Sequence, residues 1–433
     1  MKKAILALFF IFFGSKTEIL NFTLENGLQV VCIEKKNLPI VCFSIWYKCG
    51  SKNDERSTSG VAHFLEHMAF MSNKGEFSNF LEDIGAEKNA FTSFNTICFF
   101  ELISKENIET VLQHESSRMK HLQIDDEIFS SEKKAILEER SRNIDNDVMG
   151  INSEVFLANA FNRKAGGIPI IGWKHEIERI TKEDLYQFHN KWFAPNNAII
   201  VITGDFDVRH IKGLVEKYFG SVERKEISLE PVKNFTPCCQ KEVKYGSPKN
   251  GSSAGIEYLY QVPFQLKGNF RKSIALGLAI EAMNQPNFFI KNQLKDIYSY
   301  AIETTFTYVR GIFECDVVGF EVGLANIDNI SDVVKMWRYL KNRLLKTGIL
   351  DSELAEVKRK RLLAVAHRED DIWRTSNYFG RLLSSGYSVE EAQSIDKILE
   401  SITSQECNDV LREVFSFEPF AILKNVPKGY DRE

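Results

Sequence analysis

The chain has 433 residues, 44% apolar and 26% charged, enough for two globular domains or one unit built of two halves. A net charge of −4 leaves no basic excess to grip phosphates, which argues against a nucleic-acid partner. Phe is abundant (33) and Pro scarce (10), so long disordered stretches are not expected.

The first residues, "MKKAILALFFIFF", place two lysines before an apolar run from Ala4 to Phe13. The run is too short to span a bilayer and suits a secretory leader. Residues 1–18 are therefore expected to form a signal peptide or N-terminal anchor, with no stable membrane span. The expected location is the periplasm of a bacterium, or secretion. None of the eight cysteines forms a CxxC pair, so a cysteine zinc site is not expected. Cys32 and Cys42 fall on two predicted neighbouring strands and could pair in an exported chain. Most of the eight read as small apolar strand residues.

"FTLENGLQVVCIE" places Asn26-Gly27 between apolar runs, a tight hairpin, and "PIVCFSIWYKCG" follows as a strand. "DERSTSG" then offers Ser57, Thr58 and Ser59 as helix N-caps for "VAHFLEHMAF". "SNFLEDIGAE" is a second helix ending at Gly85, and "KNAFTSFNTICFFELI" reads as paired strands. Residues 105–143 have helical periodicity, and "NNAIIVITGDF" is a buried strand.

Near residue 225 the texture turns polar, with Pro and Gly, and this stretch is read as a connection. Beyond it come a strand in "AGIEYLYQVPF", a helix from Ser273 to Met283, a strand pair in "YAIETTFTYVRGIFECDVVGF" and helices over 328–413. The expected division is 19–226, a connection at 227–240, and 241–433. "ITKEDLYQFHNKWFAPNNAIIVITG" from Ile180 and "ITSQECNDVLREVFSFEPFAILKN" from Ile402 share a plan: a polar cap, a helix ending in Phe, a Pro, then Ala-Ile opening a strand. The halves read as a duplication. Each is expected to be α+β, an antiparallel sheet with helices packed on one face.

On a helix at residues 61–70, His63, Glu66 and His67 share a sector about 100° wide, and apolar residues cover most of the rest. Such a helix is buried, and its polar groups need partners. A divalent cation answers that need, because imidazoles four residues apart can chelate one zinc. A third ligand is sought in "DDEIFSSEKKAILEERSRNIDND". There Ile128, Phe129, Ala135 and Ile136 form an apolar stripe containing Glu132 and Glu139, with Glu138 on the other side. A carboxylate aimed at the core needs a cation or a donor, so Glu132 or Glu139 is the ligand.

These residues resemble the pitrilysin/insulinase metallopeptidases, which include the mitochondrial processing peptidase and carry HxxEH with a distal glutamate. "HFLEHMAF", "EKKAILEERSRNIDND", "NAFTSFNT" and "FAPNNAIIVITGDF" carry the resemblance. It implies one Zn2+ per chain held by His63, His67 and Glu139, with Glu132 as a helper seven residues before the ligand. It also implies Glu66 as the general base of a zinc endopeptidase, and a peptide added to the strand at Asn89 and Ala90. The family's Arg and Tyr, seven apart in the second half, have no full counterpart. Lys291 and Tyr298 keep the spacing in "IKNQLKDIYSYAIETT", which makes Tyr298 the candidate there. Family members of this length pair two chains into a hollow shell, so a homodimer or a heterodimer with a related chain is expected. The alternatives are a noncatalytic peptide-binding or scaffold subunit needing a partner chain, and a metal-binding structural protein.

Overall fold

A computed structural model of the protein describes residues 19–36, 38–55, 57–161, 167–227, 241–247, 254–263, 269–309 and 316–427. The expected leader at 1–18, and residues 228–240 of the expected connection, lie outside them. The first half runs β1 (Ile19–Thr23), β2 (Gln29–Glu34), β3 (Ile40–Tyr47), α1 (Val61–Phe70), α2 (Glu76–Asp83), β4 (Glu87–Thr92), β5 (Ile97–Ser104), α3 (Ile108–Lys120), α4 (Asp126–Arg140), α5 (Val148–Ala160), α6 (Lys174–Ile177), α7 (Lys182–Trp192), β6 (Ala198–Gly204) and α8 (Val208–Phe219). The second runs β7 (Lys241–Ser247), β8 (Gly255–Gln261), α9 (Phe270–Met283), α10 (Phe289–Lys291), β9 (Ala301–Val309), β10 (Val317–Leu324), α11 (Ile330–Thr347), α12 (Asp351–Asp370), α13 (Ile372–Ser384), α14 (Val389–Ser401), α15 (Ser404–Phe415) and β11 (Ala421–Pro427). Strand β7 begins directly after the expected connection at 227–240, in a segment where the sequence pattern suggested no strand.

The sheet orders are β1-β2-β6-β3-β5-β4 and β7-β11-β8-β10-β9. Set beside each other, β2, β6, β3, β5 and β4 correspond to β7, β11, β8, β10 and β9, and β1 is an addition. Both sheets are antiparallel except for one pairing each, β2 with β6 and β7 with β11. The last strand of each half inserts between two strands that run in opposite directions, β2 and β3 or β7 and β8, so it must be parallel to one of them. The repeated Ile-Thr segments take the same form: Thr181 and Thr403 cap α7 and α15, each in a capping box.

The helix-facing side of the first sheet carries Val30, Cys32, Val41, Phe43 and Ile45 in one large core with α1, α3 and α7. Alternation turns Val31, Ile33, Trp46, Cys98, Ile199 and Val201 to the other side. There they meet Phe379 and Leu383 of α13, so a helix of the second half covers the far face of the first sheet. The exchange is mutual, because α5 packs on β7 and β11. Burial on both faces explains the nearly unbroken apolar runs of β3 and β6.

Strand β6 lies between β2 and β3. Cys32 and Cys42 are therefore not on neighbouring strands, and they point to opposite faces, one into the helix-side core and the other toward Ser376 of α13. Two strand spacings, roughly 9.6 Å, already exceed disulfide reach. Cys32, Cys42, Cys49, Cys98 and Cys407 are all buried free thiols. No helix among the described residues is long and apolar enough to cross a membrane.

Candidate metal centre

Helix α1 is held at its start by backbone contact. Its N-cap is Gly60 at φ +90°, and an added Cβ there would lie 2.5 Å from the Ile171 carbonyl oxygen. The cap is not made by Ser57, Thr58 or Ser59. The Asp54 carboxylate accepts from the Gly60 N–H at 2.7 Å and the Ala62 N–H at 3.0 Å. The chain folds back on itself before the helix, which brings an acid six residues upstream to the exposed N–H groups and their positive dipole end. Ser59 serves a different contact, its Oγ accepting from the Trp173 N–H at 2.9 Å.

Helix α1 is buried through Val61, Ala62, Phe64, Leu65, Met68 and Ala69. Its polar sector faces α4 and β4. The His63 and His67 rings lie 4.8 Å apart, and ligand atoms of His63, His67 and Glu139 all lie within 4.8 Å of one another. Glu139 Oε2 is 3.8 Å from His63 Nε2 and 3.6 Å from His67 Nε2. Both distances are long for hydrogen bonds, yet close to the roughly 3.4 Å that two 2.1 Å bonds at a tetrahedral angle impose. Among the described residues, His63 Nδ1 is buried without a hydrogen-bond partner. The donor set, two imidazole nitrogens and one carboxylate oxygen, fits a zinc ion that keeps a fourth position open.

Glu132 and Glu139 take different roles here. Glu132 Oε2 lies 3.0 Å from His67 Nδ1, the nitrogen facing away from the cluster, and so fixes that ring's orientation. On α4, Phe129 stacks on Phe64 at 5.1 Å and Ile136 is buried, while Glu138 is exposed. Ala135 is exposed too, and Leu137 packs toward the core instead. Burial and the neighbouring His67 push the His63 pKa down to about 4. Burial also acts to lower His67, but the Glu132 and Glu139 carboxylates outweigh it and raise its pKa to about 9. The close approach of the His67 imidazole lowers the Glu139 pKa.

Glu66 is 8% exposed, and burial raises its pKa, as suits a group that must take up a proton. The Thr92 hydroxyl donates to its Oε2 at 2.6 Å. The sequence pattern did not single out Thr92. Its signal was there: two residues past Ala90 on a strand, it shares Ala90's face. Asn89 and Ala90 lie on β4, the edge strand of the sheet, paired with Phe100 and Phe99. The Ala90 N–H is taken by the Asn89 side chain at 2.8 Å rather than by β5, which marks the outward, unpaired side of the edge.

Tyr298 is placed differently. It follows a wide helical turn at Asn292–Ile297, is 43% exposed, and stacks on Tyr300 at 5.4 Å rather than on the histidine cluster. Lys291 is half-buried, and its pKa is lowered by burial. Among the described residues, neither Lys291 nor Tyr298 makes a hydrogen bond, ion pair or ring contact with His63, His67 or Glu139.

A histidine pair on α1 and a remote carboxylate on α4, both in the first of two like halves, form the donor set of a metallopeptidase-type centre. The description "Insulinase (Peptidase family M16)" matches residues 29–173, and "Peptidase M16 inactive domain" matches residues 179–361. The chain belongs to the M16 family. The "Zinc protease PqqE" of Helicobacter pylori is 32% identical over 214 residues, 48% of this chain and 48% of that protein. The "Mitochondrial-processing peptidase subunit beta" of Caenorhabditis elegans is 26% identical over 419 residues, 91% of this chain and 86% of that one. Several of the curated relatives, PqqE among them, are matched over only about half their length. Among solved structures, a protease from Helicobacter pylori superposes with a TM-score of 0.82 at 23% identity, covering 95% of this chain and 100% of that one. The periplasmic protease PqqL from Escherichia coli gives 0.74 at 19% identity, covering 94% of this chain and 47% of that one.

Proposed function

We propose that the protein is a zinc endopeptidase acting on peptides or unfolded segments. The observation that carries this is the convergence of His63 Nε2, His67 Nε2 and Glu139 Oε2 beside a buried Glu66. Zinc held there would polarise the scissile carbonyl and bring the pKa of a water to roughly 7. Glu66 stands on the same helix face, one residue before His67, and its remaining carboxylate oxygen takes the proton of the attacking water. It then delivers that proton to the departing amine. Thr92 holds the other oxygen, so the carboxylate does not rotate away. Substrate lies along the open edge of β4, where main-chain pairing binds many sequences and the side-chain surroundings select among them.

A pair of such chains, identical or related, is the proposed working unit. Of this chain, 94% overlays 92% of the first half of PqqL, and it covers 47% of the full protein, so that longer protein provides room for two such units. The leader pattern and the likeness to a periplasmic protease support an exported location.

A second reading, a noncatalytic peptide-binding subunit, is favoured by a lysine at position 291, where the family carries an arginine. Zinc content and hydrolysis of a quenched fluorogenic peptide, measured together on wild type and Glu66→Gln, separate the two. The peptidase reading expects about one zinc per chain in both proteins and a loss of turnover of about 10²–10⁴-fold in the variant. Wild type that holds zinc, binds peptide and turns over none would establish the second reading.

A further inference from the structure

The chemistry above uses one side of β4 and leaves the other unassigned. Strand alternation sets Thr92 against Glu66 and turns Phe91 to the opposite face of the sheet. There Phe91 meets Trp46 edge-on, with centroids 5.4 Å apart, and lies 5.3 Å from the guanidinium of Arg381. Arg381 belongs to α13, so it comes from the second half. Trp373, Asn377 and Arg381 recur every four residues and share one stripe of that helix. Trp373 stacks on Phe100 of β5 at 3.5 Å, and Phe100 is the register partner of Asn89. The Arg381 Nε donates to Asn377 Oδ1 at 2.9 Å. The stripe therefore runs along the far face of β5 and β4 toward the open edge.

Arg381 is exposed, and no carboxylate pairs with it among the described residues. Its neighbours on the same segment are paired: Arg374 with Asp371, and Arg368 with Asp396. On the same far face of β4 the closest acid in the strand is Glu87, four residues from Phe91 and roughly 13 Å away along the backbone.

We propose that Arg381 is a specificity-determining residue that takes an acidic side chain of the bound peptide. The proposal rests on the peptidase reading. A strand added to β4 alternates its side chains between the two faces, one set toward α1 and the other toward α13. Phe91 adjoins Thr92, which holds Glu66, so the selected side chain flanks the cleaved bond within about two residues at 3.3 Å rise each. The guanidinium is already oriented by an aromatic ring and an amide, and its planar fork matches a carboxylate. The chain's net charge of −4 by itself favours basic peptides, so a preference for an acid at one position is a discriminating result.

The test uses fluorogenic peptides carrying Glu, Gln or Lys at each position flanking the cleaved bond. kcat/KM is measured on the zinc-loaded protein, and affinity by fluorescence anisotropy on Glu66→Gln. Wild type is expected to prefer Glu over Gln about fivefold at one position, in line with an exposed ion pair. The preference should fall to about one in Arg381→Gln and invert toward Lys in Arg381→Glu, with melting temperature and zinc content confirming that both variants fold. Equal ratios in wild type and both variants at every position would overturn the assignment and leave the peptidase reading standing. Peptide binding without wild-type turnover would instead remove the peptidase reading, and the affinity ratios would still decide the role of Arg381.

Discussion

At the scale of single residues, the site turns on which carboxylate meets which nitrogen. Glu132 and Glu139 are seven apart, so helical periodicity puts them on one face and cannot rank them. Three-dimensional placement does: Glu139 reaches both Nε2 atoms, and Glu132 reaches only the outer nitrogen of His67. His63, Glu66 and His67 were legible because their mutual placement is fixed within one short helix. A further histidine outside the site makes a separate prediction. His189 is 1% exposed, and its Nε2–H donates to the Arg118 carbonyl at 2.9 Å. Burial pushes its pKa down to about 4. The folded protein therefore binds this proton more weakly than the unfolded chain does. Its contribution to stability is complete above pH 6.5 and is lost as pH falls toward 4, by about 3 kcal/mol. Urea unfolding of wild type and His189→Gln over that range should show a loss about 3 kcal/mol larger in wild type than in the variant, and an NMR titration of His189 near 6.5 would rule the account out.

At the scale of elements, the duplication is carried by anchoring as much as by topology. Lys133 of α4 donates to the carbonyls of Glu178 and Ile180, and Lys358 of α12 donates to those of Glu400 and Ile402. The two lysines tie equivalent helices to the start of each repeated segment. Counting from them, Val357 and Ala364 stand in α12 where Glu132 and Glu139 stand in α4, so that helix retains its place with no metal-binding side chain at either position. This was hard to read in the sequence, because matching the Ile-Thr segments does not align helices 45 residues upstream. The cap of α1 was equally hidden, since Asp54 reaches it only after the chain doubles back. The close contact at that cap predicts a cost. Gly60→Ala would place a Cβ against the Ile171 carbonyl at φ +90°, whereas Gly85→Ala, at φ +67°, meets nothing within 4 Å. Gly60→Ala should lose about 2 kcal/mol or more and bind less zinc as α1 shifts, while Gly85→Ala should lose about 1 kcal/mol and keep its zinc. Thermal melts with metal analysis read both, and equal behaviour of the two variants would show that α1 is not fixed by this contact.

At the scale of the whole molecule, the halves are held together by exchanged helices. Apolar alternation announced that both faces of the first sheet are buried, but periodicity carries no information about which distant helix covers a face. The second half supplies α13, with Ser376 Oγ 2.7 Å from Ser44 Oγ and Phe379 and Leu383 on the sheet. The closest approach is at Gly380, where an added Cβ would overlap the Trp46 indole. That contact and intrinsic helix propensity make opposite predictions for one substitution. Gly213 lies in α8 with nothing within 4 Å of its added Cβ. Propensity alone says that alanine at either glycine stabilises by up to about 1 kcal/mol. Packing says that Gly213→Ala gains and Gly380→Ala loses about 1–3 kcal/mol, because the indole has no room to withdraw from a face filled by Val31, Ile199 and Val201. Denaturant midpoints of the two variants decide between these signs. A gain at Gly380 would mean that α13 does not press on Trp46 in solution, and the pairing of the halves, together with the reach of Arg381 over β4, would have to be redrawn.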